Sequence, residues 1–426
     1  MTTAINTAQN KFYIDYFLLC ICTALLLIGF IIVTSSTLHL GEESVNSFYY
    51  PIKQFFHILA GIAVASIICC IPLHKWEKMG PWLFIIGIAL LVLVLMPGVG
   101  IKVKGSTRWI SLAGLRIQVS EIVKFVSVVY MASYVSRHQA DVLNSNYGLV
   151  KPLLLFSIAS FFLLLEPDFG SAVVILVIAM GVMYLSGARL WQFMVLISVL
   201  TVLAVLLVFF SAYRRARFTG FIDPWADPQN TGYQLVHALI SFGRGEITGV
   251  GLGSGIEKLF YLPEAHTDFL FSVLAEELGL LGVILIISLF TLLFSHAFSL
   301  AKKAEQSGQK FAAYIAYGIG IWFGFQAFIN MGVNMGMLPT KGLTLPLMSY
   351  GGGSMITMCA AMALLFRVHS EIAGKQAQKH IAKGNTEWIT IEDGKETIEE
   401  NSEPLSSRGR KIEADLAQPF TPDSQM

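Results

Sequence analysis

Long apolar runs separated by short polar connections set the plan of this chain. They fall near residues 14–36, 54–73, 80–97, 119–135, 152–165, 171–188, 191–212, 272–297, 311–334 and 349–367. A helix needs about twenty mostly apolar residues to cross a bilayer, so each run reads as a span. The run at 152–165 is short and borrows neighbouring residues or thins the bilayer locally. The predicted fold class is all-α: a polytopic integral membrane protein with ten transmembrane helices and one long outer loop, residues 213–268. An even number of spans puts both termini on one side. Residues 1–11 form a short polar tail before the membrane domain of 12–370. Residues 371–426 are charged and rich in Ser, Glu and Lys, and are expected to be a disordered tail.

The polar residues between the runs give the orientation. Lys75, Lys78, Arg137, Lys151, Arg189, Lys302, Lys303 and Lys310 share one side, which the positive-inside rule makes cytoplasmic. Glu42 and Glu43 lie in the first loop of the other side. One outer loop departs from the rule, because Lys102, Lys104, Arg108 and Arg116 sit between spans three and four. An anionic substrate or lipid headgroups would each account for it. The loop at 213–268 opens with Arg214, Arg215 and Arg217. Leu235, Val236, Leu239 and Ile240 at helical spacing then predict a short surface helix over 232–243. Gly249-Val-Gly-Leu-Gly-Ser-Gly255 follows no strand, so it reads as flexible, closely approaching backbone rather than a dinucleotide fingerprint.

Composition agrees with the pattern. Of 426 residues, 55% are hydrophobic and 13% charged, about half the charge of a soluble domain. Mean hydropathy is +0.65. A net charge of +1 points to no nucleic-acid partner. Cys20, Cys22, Cys69, Cys70 and Cys359 lie inside apolar runs without histidines at ligand spacing, and read as small core hydrophobes. No internal repeat is visible, and no cleavable signal peptide precedes the first run.

Against this background the acids and bases near spans stand out. Glu121 and Lys124 share a helix face at the start of span four and can pair, either structurally or as a polar wall. Glu166-Pro-Asp168 forms an outer turn in which Asp168 can cap the next helix. Gln326, Asn330 and Asn334 recur every four residues as one polar stripe. Lys341 sits between two prolines before span ten, placed to pair with phosphate or carboxylate. The densest group is Glu264, His266, Asp268, Glu276 and Glu277. Asp268 reads either as a helix cap or, given its neighbours, as a general base.

Leu262-Pro-Glu-Ala-His-Thr-Asp268-Phe resembles a motif of the SEDS family of bacterial cell-wall proteins. So do the run from Asn330 through Pro-Thr-Lys341-Gly to Gly352, and Arg108-Trp109 with Ser120-Glu121. The resemblance covers residues 12–370 and favours the division branch over the elongation branch. It implies a peptidoglycan glycosyltransferase that polymerises lipid II during septal wall synthesis, at the outer face of the inner membrane. Asp268 would be catalytic, and Lys102, Lys104, Arg108, Glu121, Lys124, Arg217, Glu264, His266 and Lys341 would serve the substrate. Partners would be a class B penicillin-binding protein and other division proteins. A divalent cation, magnesium or manganese, stays open as cofactor. The rival readings are a lipid II flippase and a non-catalytic scaffold that recruits the transpeptidase. Two positions depart from the family pattern: Val119 replaces a usual proline, and Gly353 a usual serine.

Overall fold

The computed structural model describes residues 12–41, 47–103, 106–112, 115–144, 148–189, 212–340 and 342–386, with scattered positions between 190 and 211. Of Lys102, Arg116 and Arg217 only the backbone is described, and Lys104 and Lys341 lie outside the described residues.

The helices are α1 (Tyr16–Thr37), α2 (Tyr49–Cys70), α3 (Leu73–Leu95), α4 (Val119–Arg137), α5 (Gln139–Asn144), α6 (Val150–Leu165), α7 (Phe169–Leu185), α8 (Ala212–Ile222), α9 (Tyr233–Gly245), α10 (Leu270–Gln306), α11 (Lys310–Asn334) and α12 (Gly352–Thr386). Seven of them are long and apolar enough to cross a membrane, and α6 and α7 are shorter apolar helices. Nine of the ten predicted spans therefore have a helix; the tenth, 191–212, lies mostly outside the described residues. The short helix expected over 232–243 is α9.

Burial sorts the spans. In α4, 89% of the apolar window is covered by protein, against 17% in α2. The least apolar long helix is thus the central one. Its Ser120, Glu121, Lys124, Ser127 and Ser133 are buried, with partners inside the protein for the charges. The helices α2 and α3 show Phe55, Phe56, Ile62, Trp82 and Ile85 outward. Such rows of exposed apolar side chains suit hydrocarbon.

Three differences from the sequence reading matter. The basic loop after α3 is a small antiparallel sheet, β1 (Ile101–Val103), β2 (Ser106–Leu112) and β3 (Leu115–Gln118), in the order β1-β2-β3. Trp109 pairs with Gln118 and Ile110 with Ile117. Next, the span expected to start at 272 starts at Leu270 and breaks at Gly279, whose φ of 64° and ψ of −162° are open to glycine alone. Finally, residues 371–386, expected to be disordered, continue α12. Their Ala, Lys and Gln are strong helix formers.

The break at Gly279 explains the glycine-rich run. A helix that breaks frees backbone groups that must find partners. The N–H groups of Leu280 and Leu281 donate to the carbonyls of Glu246 and Ile247 (2.9 and 3.2 Å), while Val250 and Gly251 donate to those of Glu276 and Glu277 (3.0 and 3.1 Å). The strands of backbone touch: a Cβ on Gly249 would lie 2.1 Å from the Glu277 carbonyl oxygen. The expected close approach is therefore made to the chain itself.

Candidate functional site

Asp268 ends a tight turn that joins the 246–262 segment to α10. Glu264 sits in the left-handed region at φ 59° and holds the turn. Its carbonyl accepts the N–H of Thr267 and Phe269, and its carboxylate accepts the Thr267 hydroxyl (2.7 Å). Glu264, His266 and Asp268 thus share one turn, all half-buried.

The cap reading of Asp268 is not met. The residue before α10 is Phe269, which offers no side-chain cap, and the first-turn N–H of Ser272 is met by Asn334 instead. Asp168 does cap, accepting from the backbone N–H and hydroxyl of Ser171 (3.2 and 2.9 Å).

The polar stripe of α11 holds the Asp268 turn in place. The amide nitrogens of Asn330 and Asn334 both donate to the Asp268 carbonyl (2.8 and 3.0 Å). Asn330 also donates to the carbonyl of Leu343 (2.6 Å), and Asn334 accepts from the backbone and hydroxyl of Ser272 (3.1 and 2.7 Å). One pair of amides therefore ties together the Asp268 turn, the start of α10 and the segment before α12. The Asp268 carboxylate faces Gly342, where a Cβ would lie 2.8 Å from Oδ2. Lys341, beyond the described residues, immediately precedes it in the chain.

The Leu343 side chain packs against Gly170, which brings in the turn between α6 and α7. Arg108, on β2, donates to the carbonyls of Glu166 and Pro167 (2.9 and 2.6 Å). The Gln118 amide reaches the Ser120 hydroxyl and Asp168 (2.9 and 3.3 Å). At Gly353, a Cβ would meet the Ile117 backbone at 3.1 Å. The glycine that departs from the family pattern lets β3 seat closely on the start of α12.

Glu166 is fully buried, and neither carboxylate oxygen finds a partner among the described residues. Burial pushes its carboxyl up to about 8, with Asp168 adding and Arg108 opposing. Because this value lies above the ordinary 4.5, the folded state binds the proton more tightly. Stability present below the ordinary value is lost as pH rises toward 8. Glu166→Gln should therefore raise the thermal midpoint at about pH 9 and leave it unchanged at about pH 4. An equal change at both pH values would refute the buried-proton account.

Not every candidate joins the Asp268 turn. Glu121 and Lys124 form a buried pair at 2.7 Å, and Lys124 also donates to Gln326 (2.9 Å). Lys124 is wholly covered, so this pair works inside the bundle. Glu276 and Glu277, suggestive neighbours in sequence, are fully buried and face inward. Glu276 accepts the backbone N–H of Ile256 and Glu257 and pairs with Arg244 at 3.3 Å. Glu277 pairs with Lys258 at 2.5 Å and accepts the Ser35 hydroxyl. They fasten the 246–258 segment to α1 and α10. Lys258 and Ser35 were not singled out from sequence, because no local pattern marks a pairing across 223 positions.

An aromatic group beside the turn was also missed. Tyr50 of α2, His266 and Tyr350 stand with ring centroids 5.5 to 5.8 Å apart. Among the described residues, no group of three or more His, Cys, Asp or Glu side chains could hold a metal ion. Magnesium often needs only one or two protein carboxylates when phosphate oxygens complete its shell.

Comparison with known proteins places this arrangement. Residues 16–373 match the family model of the FtsW, RodA and SpoVE cell cycle proteins. The chain is 60% identical to a probable peptidoglycan glycosyltransferase FtsW of Methylomonas methanica, over 85% of this chain and 94% of that one. It is 55% identical to the protein of the same name from Methylococcus capsulatus, over 85% and 91%. Among solved structures it resembles a chain of a peptidoglycan synthase complex described as coordinating polymerization and crosslinking. That match has a TM-score of 0.69 at 26% identity and covers 85% of this chain and 99% of that one. The rod shape determining protein RodA of Thermus thermophilus matches with a TM-score of 0.62 at 25% identity, over 84% and 98%.

Proposed function

This chain belongs to the FtsW, RodA and SpoVE family of cell cycle proteins, and from that premise we propose how its reaction is laid out. It is a peptidoglycan glycosyltransferase and a multi-pass membrane protein. Its substrate is lipid II, which it polymerises at the outer face of the cytoplasmic membrane, at the division septum. Both termini lie in the cytoplasm, an orientation supported by the side that carries Lys75, Lys78, Lys302 and Lys303.

Asp268 is the general base. Its carboxylate takes the proton of the acceptor sugar's 4-hydroxyl. That oxygen bonds to the donor's anomeric carbon as the bond from that carbon to the pyrophosphate oxygen breaks. Undecaprenyl pyrophosphate leaves with the bonding electrons. Cations stabilise the developing charge on pyrophosphate. Lys341 precedes Gly342 in the chain, and Arg108 bonds to the α6–α7 turn that touches Leu343. Lys102, Lys104 and Arg217 add positive charge from the flanking segments. His266 and Glu264 shape the turn and its substrate face, while Glu121 and Lys124 support it from within the bundle.

One observation carries this reading: the Asp268 backbone is clamped by two amides while its carboxylate faces a glycine. Catalysis needs a base held rigidly in place. A class B penicillin-binding protein is the crosslinking partner, alongside other division proteins. The similar chain from a synthase complex that coordinates polymerization and crosslinking supports that pairing.

The direct experiment is glycan synthesis from purified lipid II by the chain reconstituted with its penicillin-binding protein. A ladder of glycan strands is expected. Lipid II crossing a vesicle membrane without strand formation would replace this reading with the flippase.

A further inference from the structure

Helix α2 buries only a narrow seam, at Pro51, Gln54, Gly61 and Ile68. Gln54 is completely covered, yet neither its amide nitrogen nor its oxygen finds a partner among the described residues. His57 has a buried Nδ1 in the same condition. A helix with so little covered surface places two orphaned polar groups one turn apart. Buried polar groups are costly to leave unpaired, so such a pair calls for something that completes it.

The surroundings say where the pair points. Tyr50, Gln54, His57 and Gly61 recur at three- and four-residue spacing and share one helix face. Contacts fix both sides of Gln54. Tyr50 lies 5.8 Å from His266 and 5.7 Å from Tyr350, ring to ring. His57 lies 5.9 Å from Tyr350 and rests over Gly352, where a Cβ would come within 2.8 Å of its Nε2. Lower down, Gly61 meets Cys359 of α12, where a Cβ would lie 2.8 Å from Sγ. Tyr350 is tied to the Asp268 turn, since its backbone N–H donates to the His266 carbonyl (3.0 Å). The stripe therefore faces the turn that carries Asp268, two residues beyond His266.

The chemistry of this group is that of a sugar site. Half-buried rings offer flat apolar faces to the C–H side of a pyranose. A side-chain amide can donate through its nitrogen and accept through its oxygen, matching the carbonyl and N–H of an acetamido group. The imidazole adds a third polar atom. Among the described residues the orphaned polar groups here are an amide and an imidazole, which suit the neutral substituents of a sugar better than a phosphate or carboxylate.

We propose that Tyr50, Gln54 and His57, with His266 and Tyr350, form the subsite for the acceptor sugar, with Gln54 reading its acetamido group. This rests on Asp268 being the base for the acceptor hydroxyl. The floor at Gln54 is closed in the present arrangement, so the sugar enters as α2 shifts outward along its narrow seam.

The test separates acceptor from donor. Lipid II with its terminal 4-hydroxyl capped can donate but not accept. With capped lipid II saturating, unmodified lipid II is varied as acceptor, and the first lipid-linked tetrasaccharide is measured in the complex with the penicillin-binding protein. Gln54→Leu should raise the half-saturating acceptor concentration about tenfold, the loss of a buried hydrogen-bonded group, with little change in the saturated rate. Donor dependence should not move. The thermal midpoint without substrate should hold or rise, because an orphaned amide is gone. His57→Phe, which keeps a ring but loses the nitrogen, should show a smaller acceptor effect and guards against misfolding of the first variant. Unchanged acceptor dependence in both variants, or an equal rise for the donor, overturns the subsite. If instead the parent protein makes no tetrasaccharide, or Asp268→Asn makes it normally, the general-base reading fails and not the subsite alone.

Discussion

Asp268→Asn should lower the rate of glycan formation by about 10²–10⁴-fold, the range that a general base contributes, without altering the fold. The substitution is chosen because asparagine preserves shape. The Asp268 position is set through its main-chain carbonyl by Asn330 and Asn334, and those bonds do not depend on the side chain. Gly342 leaves the same space for an amide as for a carboxylate. What asparagine loses is the ability to take a proton. Strand length on gels, from purified lipid II and the reconstituted complex, reads the loss. The thermal midpoint in detergent should stay within a few degrees of the parent. Full activity of the variant would sink the general-base assignment and leave the scaffold reading standing. A fall in activity together with a collapsed midpoint would instead show that the side chain holds the turn.

The second large effect is on stability. Lys258→Met should destabilise the protein by about 3–5 kcal/mol, the usual consequence of removing one member of a buried ion pair. Glu277 is fully covered, and its charge is met by Lys258 and by the Ser35 hydroxyl, which also accepts from Lys258 (2.7 Å). Methionine fills the space of the lysine stem but leaves a carboxylate without its cation. The double variant Lys258→Met with Glu277→Gln should recover most of the loss, since the remaining group is neutral and Ser35 can still bond to it. Thermal unfolding in detergent, with yield from the membrane as a second measure, distinguishes the cases. Activity should fall in the single variant too, because the pair fastens the 246–258 segment to the break at Gly279. An unchanged midpoint in the single variant would mean that the charges are not coupled as the geometry implies.

Some of what was missed was visible in the chain. Residues 101–118 alternate apolar and polar positions around Ala113-Gly114, a strand–turn–strand pattern. Their four cations drew attention to charge instead of period. The break at Gly279 was also foreshadowed, by a glycine after two acids within an apolar run. A lone glycine in such a run is compatible with a continuous helix, so the sequence did not decide it.

By itself the sequence determined the membrane-spanning helical class, because twenty-residue apolar periods have no other stable solution in a bilayer. It also pointed to the 262–269 turn, since acids and an imidazole beside a span are costly to keep there. It did not show what surrounds each acid: spacing alone left Asp268, Glu276 and Glu277 as one acidic group, and the family resemblance pointed to Asp268 without a physical reason. Only the tertiary structure separates them, through partners distant in sequence: Arg244, Lys258 and Ser35 neutralise the two glutamates inside the protein, while Asn330 and Asn334 grip Asp268 by its backbone and leave its carboxylate beside Gly342. Local spacing fixes which residues share a helix face, but the role of a charge follows from what long-range packing sets against it.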